Sequence, residues 1–230
     1  MILHRFDSSE TAAAALAAQI AATLHEALQL RGKASLVVPG GRTPLALFRA
    51  LRRWEMDWAK VQVTLTDERW VAPDDSASNA ALVQRELLTG HACAARFVPL
   101  HNVAPSAAVG AAQSWQEISR MPRPFDAVVL GMGEDGHFAS LFPDSPGLPA
   151  ALDANAPPAC VAMRAPVTPM DRLSLNLAAL SDARRVFLLV NGDSKRLLIE
   201  SARHESRQNA LPIATLLALC NPAPEVYWAP

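Results

Sequence analysis

The chain has 230 residues, of which 50% are apolar, and its 21 basic and 22 acidic side chains leave a net charge of −1. This apolar content excludes a chain that is mainly disordered, and the charge balance excludes a broad basic surface for nucleic acid. The length accommodates one large α/β domain or two small ones, and three widely spaced cysteines predict neither a disulfide framework nor a zinc site, which fits a reducing cytoplasm.

The first apolar stretch, residues 11–25, carries no charged side chain. It is shorter than the roughly 20 residues that span a bilayer, so we expect no membrane anchor. Arg5 is followed by Asp7 before the apolar run, which is not the positively charged leader of a secretory signal. The pattern predicts a helix of a water-soluble domain, with Asp7, Ser8 and Ser9 as candidate N-caps.

Further along the chain, short runs rich in valine and leucine alternate with helical patterns. The predicted strands are residues 35–38, 61–66, 125–130 and 185–190, and the predicted helices are residues 43–53, 78–88 and 193–202. Continuous apolar strands separated by helices indicate a doubly wound α/β fold, with a mostly parallel sheet and helices on both faces. We expect a single domain over residues 1–230, in which the proline-rich residues 144–169 form a loop excursion and not a linker.

The first glycine loop, residues 39–44, follows a predicted strand and reads Pro-Gly-Gly-Arg-Thr-Pro. Gly40 and Gly41 allow positive φ and close approach of another group, Thr43 is a candidate N-cap, and Pro44 suits the first helical turn. Backbone amides at such a helix start form a cradle for phosphate. An ordinary tight turn between a strand and a helix explains the same residues, so this loop alone leaves both interpretations open.

Two further predicted strand regions carry charged residues that are candidates for a site. Asp67-Glu-Arg-Trp70 ends the strand that begins at Val61, and Arg172 starts the strand-like residues 172–175. Lys195 lies near a predicted helix N-terminus, where a cation is unfavourable unless it serves an anion held at the same place. Solvated surface charges and salt bridges are the alternative explanation for all of them.

The second glycine loop, residues 131–137, matches the GxGxxG pattern after a strand. We reject a dinucleotide fingerprint, because several prolines follow where that motif requires a long helix. The loop places Glu134 and Asp135 next to His137, and an imidazole oriented by a carboxylate is the usual general base near neutral pH. A turn capped by Asp135, with His137 at the surface, is the alternative.

Taken in order, these segments resemble the 6-phosphogluconolactonase family. The resemblance rests on Gly-Gly-x-Thr-Pro44, Thr66-Asp-Glu-Arg69 with Ser78-Asn79, Leu130-Gly-Met-Gly-Glu-Asp-Gly-His137, Ala139-Ser-Leu-Phe-Pro143, Arg172-x-Ser-Leu, Gly192-x-x-Lys195 and Leu211-Pro212. It spans nearly the whole chain. It implies a cytoplasmic, metal-independent hydrolase of the pentose phosphate pathway that opens 6-phosphoglucono-1,5-lactone to 6-phosphogluconate.

The resemblance also implies roles for individual residues. His137 is the expected base, Asp135 its orienting partner and Asp67 a second carboxylate. The expected phosphate-binding groups are the 40–43 loop (Gly40, Gly41, Arg42, Thr43) and the cations Arg69, Arg172 and Lys195. We expect no cofactor and no metal, a small sugar-phosphate lactone as the partner, neither nucleic acid nor membrane, and a monomer or small homo-oligomer.

Two residues depart from the family pattern: Arg42 replaces a small hydroxyl residue, and Phe138 follows the histidine where threonine is usual. Neither change removes a catalytic group. Two other functions stay open, a glucosamine-6-phosphate deaminase or isomerase and a non-catalytic sugar-phosphate sensor. The deaminase pattern has a glutamate shortly after the histidine, whereas this chain has Ser-Leu-Phe-Pro143, and the intact His137 argues against a sensor.

Overall fold

The computed structural model describes residues 1–202 and 211–230. Its strands are β1 (Ile2–Arg5), β2 (Ala34–Val38), β3 (Val61–Leu65), β4 (Asp67–Arg69), β5 (Arg96–Phe97), β6 (Phe125–Leu130), β7 (Cys160–Arg164), β8 (Asp171–Leu175), β9 (Ala183–Asn191) and β10 (Glu225–Ala229). Its helices are α1 (Ser9–Arg31), α2 (Leu45–Leu51), α3 (Asn79–Glu86), α4 (Ala107–Ile118), α5 (Leu148–Ala151), α6 (Leu177–Ser181), α7 (Asp193–Ala202) and α8 (Pro212–Leu219).

The main sheet has seven parallel strands in the order β1-β10-β9-β6-β2-β3-β5. Every residue of β2 and β6 is buried, which means that both faces at the centre of the sheet are covered. Helix α1 contacts four of these strands, β2, β6, β9 and β10. The predicted doubly wound α/β fold with a mostly parallel sheet is therefore confirmed.

The direction of winding reverses between β2 and β6, which are neighbours in the sheet. From β2 the chain adds β3 and then β5 on one side, whereas β9 and β10 extend the sheet beyond β6 on the other side. The connections after β2 and β6 therefore diverge and leave a crevice at their carboxyl ends. Open α/β sheets bind their ligands at such a point.

A second, antiparallel sheet of three strands has the order β4-β8-β7 and is not predicted by the sequence. Strand β7 and the short helix α5 lie inside the proline-rich residues 144–169, for which a loop is expected. Only Cys160 and Met163 of β7 are buried, so this strand lacks the continuous apolar run that marks the main sheet. The loop expectation therefore overlooks a half-exposed strand.

The ends of the first two helices show how capping is achieved. Helix α1 begins after Ser8, whose hydroxyl accepts a hydrogen bond from the Thr11 amide at 3.2 Å. Ser8 is one of the predicted N-caps. Thr43 was expected to cap the next helix, and this is wrong. Helix α2 begins at Leu45 with Pro44 in the N-cap position and no side-chain cap, because the first helical hydrogen bond runs from the Phe48 amide to the Pro44 carbonyl, at 2.9 Å. Within the residues that the structure describes, no helix has both the length and the apolar character needed to cross a membrane.

Candidate active site

A cavity of about 210 Å³ lies where the winding reverses, at the carboxyl ends of β2 and β6. The two glycine loops form opposite parts of its wall, and the end of β4 and the start of α3 complete it. Its lining residues are Pro39, Gly40, Gly41, Arg42, Thr43, Pro44, Asp67, Arg69, Asn79, Leu130, Gly131, Met132, His137, Ala139 and Leu189. The topology thus brings segments that are far apart in sequence to one site.

His137 and Asp135 form a hydrogen-bonded pair at the cavity wall. The Nδ1 atom of His137 lies 2.5 Å from Asp135 Oδ1, and the same oxygen accepts a hydrogen bond from the His137 amide at 3.2 Å. The imidazole also packs on Phe142, with 4.2 Å between ring centroids. Because Nδ1 is engaged by the carboxylate, the ring is held in one orientation with Nε2 as its remaining nitrogen.

Gly133 provides the room that this pair needs. A Cβ atom at position 133 would lie 2.2 Å from both Cε1 and Nδ1 of His137 and 2.6 Å from Asp135 Oδ1. Such distances are far inside van der Waals contact, so any side chain at this position must displace the imidazole or the carboxylate. The glycine is therefore required by the close approach of His137 and Asp135.

We expect Gly133→Ala to lower kcat about 10- to 100-fold, since a displacement of about 1 Å of a reacting group costs rates of this order. Gly131→Ala is the comparison in the same loop, because a Cβ there would meet nothing within 4 Å and so leaves the imidazole and the carboxylate in place. Residue 131 lines the cavity, so this variant should affect KM and leave kcat nearly unchanged. Steady-state kinetics of both variants test the prediction, and equal losses would show that the loop is sensitive to any added methyl group.

Contacts from two other helices hold the second glycine loop in place. The Ile213 amide at the start of α8 donates a hydrogen bond to the Gly136 carbonyl at 3.0 Å. Glu134 accepts a hydrogen bond from Ser194 Oγ at 3.0 Å, and its other oxygen lies 3.6 Å from Lys195 Nζ. Lys195 is therefore paired with the loop in this structure, and it does not line the cavity.

Asp67 is buried at the edge of the cavity and is hydrogen-bonded on both carboxylate oxygens. Thr66 Oγ1 donates to Oδ1 at 2.9 Å, and Ser140 Oγ donates to Oδ2 at 2.6 Å. Ser140 follows Ala139, a cavity residue with a positive φ of 49°. The carboxylate of Asp67 thus fastens the turn that comes directly after the second glycine loop.

Arg69 and Arg172 occupy directly opposed positions of β4 and β8. Like charges opposed across a pair of strands destabilise the sheet unless an anion lies between or beside them. Arg172 is only 5% exposed, its Nε atom has no hydrogen-bond partner, and burial together with the Arg69 cation lowers the pKa of its guanidinium. Of the two, Arg69 lines the cavity and Arg172 lies behind it.

The first glycine loop presents backbone donors to the same cavity. In the part of the chain that the structure describes, the amides of Gly40, Gly41, Arg42 and Thr43 donate no hydrogen bond within the protein. Gly41 has a positive φ of 85°. Unsatisfied amides beside an arginine form a site that favours an anion with several oxygen acceptors.

The structure therefore brings most of the predicted site residues together at one cavity: Gly40, Gly41, Arg42, Thr43, Asp67, Arg69 and His137, with Asp135 behind the histidine. Asn79 and Ala139 also line the cavity, although no role is predicted for them from the sequence. The Ser78-Asn79 pair after the acidic and basic turn was the available signal for Asn79. Among the described residues, no group of three or more His, Cys, Asp or Glu side chains is arranged to hold a metal ion.

Comparison with known proteins gives consistent matches over the full length. The model of the family described as "Glucosamine-6-phosphate isomerases/6-phosphogluconolactonase" matches residues 7–228. A 6-phosphogluconolactonase of Rhizobium meliloti is 40% identical over 228 residues, covering 99% of this chain and 98% of the relative. One of Pseudomonas aeruginosa is 40% identical over 229 residues, covering 99% and 94%.

Solved structures agree with these matches. The crystal structure of a 6-phosphogluconolactonase from Shewanella baltica superimposes with a TM-score of 0.93 at 40% identity, covering 100% of this chain and 98% of that one. A monomeric glucosamine-6-phosphate deaminase superimposes with a TM-score of 0.80 at 17% identity, covering 100% and 97%. The second likeness, at this identity, speaks for a shared fold alone.

Proposed function

The chain belongs to the family of glucosamine-6-phosphate isomerases and 6-phosphogluconolactonases. We propose that it hydrolyses 6-phosphoglucono-1,5-lactone with His137 as the general base. The observation that carries the proposal is the placement of the His137–Asp135 pair in the wall of a cavity that also holds Arg69 and the free amides of residues 40–43. A general base and a site for an anion thus line the same cavity. This reaction is the lactone-opening step of the oxidative pentose phosphate pathway.

The chemistry needs one group that exchanges protons. Nε2 of His137 accepts a proton from water as the water oxygen attacks the lactone carbonyl carbon. The tetrahedral intermediate then collapses, the bond between the carbonyl carbon and the ring oxygen breaks, and the imidazolium returns the proton to that ring oxygen, which becomes a hydroxyl group. Asp135 stabilises the imidazolium that forms between the two steps, because its carboxylate lies on Nδ1.

The phosphate is held at the other side of the cavity. Arg69 and the amides of Gly40, Gly41, Arg42 and Thr43 supply the donors, and Arg172 adds positive charge behind Arg69. Lys195 contributes through the second glycine loop, whose Glu134 it contacts. Binding of the remote phosphate then orients the lactone over His137, which converts binding energy into a correct approach of the water.

In this proposal, Asp67 is a positioning residue. Its two oxygens accept hydrogen bonds from Thr66 and Ser140, so it fixes the turn after His137 against the start of β4. The alternative reaction of the family, deamination or isomerisation of an amino sugar phosphate, has no specific observation in its favour. The residues after His137 read Phe-Ala-Ser-Leu-Phe-Pro143 and contain no glutamate.

The location of the protein in the cell is also part of the proposal. All three cysteines are free, with Cys160 and Cys220 buried, and burial raises the pKa of the Cys160 thiol to about 12. Inert, unpaired thiols are typical of proteins in a reducing cytoplasm, which we propose as the location. The expectation of a monomer or a small homo-oligomer stays a prediction.

Hydrolysis of freshly prepared 6-phosphogluconolactone, followed as acid release and corrected for spontaneous opening, tests the proposed function. The unphosphorylated gluconolactone is the control substrate. We expect efficient turnover of the first and poor turnover of the second, because only the first engages the anion site. Equal rates on both lactones, or no rate above spontaneous opening, would contradict the proposal.

The phosphate site itself gives a prediction for the cations. Arg69→Ala should raise KM for the phosphorylated lactone and lower kcat/KM about 10- to 100-fold, which corresponds to a lost charge-assisted hydrogen bond of roughly 1.5–3 kcal/mol. Arg172→Ala and Lys195→Ala should act in the same direction. Arg172→Lys should rescue only in part, because an ammonium group lacks the planar fork of guanidinium.

The control for these variants is Arg120→Ala, which removes an exposed cation whose carboxylate partner is Glu117, outside the cavity lining. It should leave KM unchanged. On unphosphorylated gluconolactone, Arg69→Ala, Arg172→Ala and Arg120→Ala should have nearly the kcat/KM of the wild type. Lys195→Ala should lose part of its kcat on both lactones, because it also removes a contact of the loop that carries His137. If the cavity variants lost as much on that lactone as on the phosphorylated one, their role would be structural or catalytic.

A further inference from the structure

Asn79 is the first residue of α3 and one of the most buried polar residues of the cavity wall, with 2% of its surface exposed. Its backbone is fixed by Glu68, whose carboxylate accepts hydrogen bonds from the amides of Asn79 at 2.7 Å and Ala80 at 2.8 Å. Glu68 lies on β4 between the cavity residues Asp67 and Arg69. The position of the Asn79 side chain is therefore tied firmly to β4.

The side chain of Asn79 reaches two different segments of the site. Its Nδ2 atom donates a hydrogen bond to the backbone carbonyl of Asp67 at 2.9 Å. Its amide also fills the space above Gly40, because a Cβ atom at position 40 would lie 1.8 Å from Oδ1 and 2.5 Å from Nδ2. Asn79 is thus wedged between β4 and the first glycine loop.

The amide oxygen of Asn79 is unusual because it is buried without a hydrogen-bond partner. A buried unpaired acceptor costs about 1–3 kcal/mol of stability. Exchanging the amide nitrogen and oxygen does not relieve this, since the oxygen would then face the carbonyl of Asp67. The unpaired oxygen therefore does not stabilise the fold. The contact that it does make is the close one with Gly40.

We propose that Asn79 is a positioning residue for phosphate binding: its amide sets the distance between the first glycine loop and β4, so that the amides of residues 40–43 and the guanidinium of Arg69 meet one phosphate. Gly40 is the counterpart of Asn79 in this arrangement, since only a residue without Cβ leaves room for the amide. This inference rests on the proposed function of the cavity and extends it to a residue of the cavity wall to which that function assigns no role.

The proposal predicts that Asn79 affects phosphate affinity and has little effect on kcat. Asn79→Ala removes the wedge and leaves His137 and Asp135 untouched, so we expect KM for 6-phosphogluconolactone and the inhibition constant of inorganic phosphate to rise about tenfold each, with kcat within about threefold of the wild type. On unphosphorylated gluconolactone, kcat/KM should fall by less than on the phosphorylated lactone. A loss of kcat on both lactones with KM unchanged would overturn the proposal.

A double-mutant cycle with Gly40 gives the sharper test. In the wild type, Gly40→Ala should raise the inhibition constant of phosphate about tenfold or more, because the new methyl group collides with the amide of Asn79. In the Asn79→Ala background the same change should cost less than about threefold, since the methyl group enters the vacated space. If Gly40→Ala costs the same in both backgrounds, the two residues are independent and the proposal is wrong.

Thermal unfolding of all four proteins keeps the cycle decisive when a variant folds poorly. We expect Gly40→Ala to lower Tm and the added Asn79→Ala to restore part of it. A double variant that is less stable than Gly40→Ala alone would contradict the proposed contact between Asn79 and Gly40.

Asn176→Ala is the matched control, because Asn176 is equally buried but caps α6 and bonds to Pro157. It should lower Tm and leave phosphate inhibition unchanged. The Tm cycle needs no lactone, so its result is distinguishable from failure of the wild type as a lactonase.

Discussion

His137→Ala is expected to lower kcat for 6-phosphogluconolactone about 10²- to 10⁴-fold, the range that a general base contributes to a rate. KM and the inhibition constant of inorganic phosphate should stay within about threefold of the wild type, because the substitution removes a proton acceptor and no phosphate ligand. The imidazole has its Nδ1 held by Asp135, and no second histidine lines the cavity among the described residues. The other acid–base side chain among the lining residues is Asp67, and both of its oxygens already accept hydrogen bonds from Thr66 and Ser140.

The measurement is steady-state hydrolysis corrected for spontaneous opening, in the presence and absence of added imidazole. The free base should restore part of the activity to His137→Ala, since the substitution leaves a space beside the bound lactone. It should have no effect on Arg69→Ala, whose defect lies in binding. Turnover of His137→Ala at the rate of the wild type would remove His137 from its assigned role.

Asp135→Asn is expected to have the second largest effect, a loss of about 10²-fold or more in kcat with KM little changed. The carboxylate accepts a hydrogen bond from the Nδ1–H group of His137 and so leaves the lone pair on Nε2, where the water is activated. An asparagine amide that donates to Nδ1 would stabilise the opposite tautomer, with the proton on Nε2. The ring would keep its place and lose its function as a base.

This explanation distinguishes two substitutions at one position. Asp135→Ala leaves Nδ1 to water and imposes no tautomer, so it should retain at least as much activity as Asp135→Asn, although its loop loses the bond between the carboxylate and the His137 amide. The double variant His137→Ala/Asp135→Asn should be no slower than His137→Ala, because the two residues act as a unit. Additive losses would mean that Asp135 has a role of its own.

The main sheet was predictable because its central strands are buried on both faces. Residues 125–130 and 193–202 were predicted with the bounds that β6 and α7 have, since continuous apolar runs and clear turn residues mark them. Strand β4 consists of Asp67, Glu68 and Arg69, and the first two are of residue types that are depleted in strands. It forms because distant partners, Ser140, the start of α3 and β8, satisfy its polar groups.

The candidate site was predictable where the chemistry lies within one loop, as for Asp135 and His137. The placement of Lys195 was not, because its contact with Glu134 joins two loops that no local pattern relates. The same holds for Asn79 and Gly40, which meet only after β2 and β4 have taken their places. Residue type and spacing indicate which groups act, whereas the sheet topology decides which of them touch.

The cavity is assembled from parts of the chain that are distant in sequence, from the first glycine loop to Ile213 at the start of α8, which holds Gly136. No short fragment contains these parts together, so an anion that binds here binds the folded domain and not the unfolded chain. Such a ligand raises the free energy of unfolding by RT ln(1 + [L]/Kd), about 2.7 kcal/mol at one hundred times Kd. A sugar phosphate bound at the proposed site therefore lowers the unfolded fraction of the protein, which is the fraction that proteases attack.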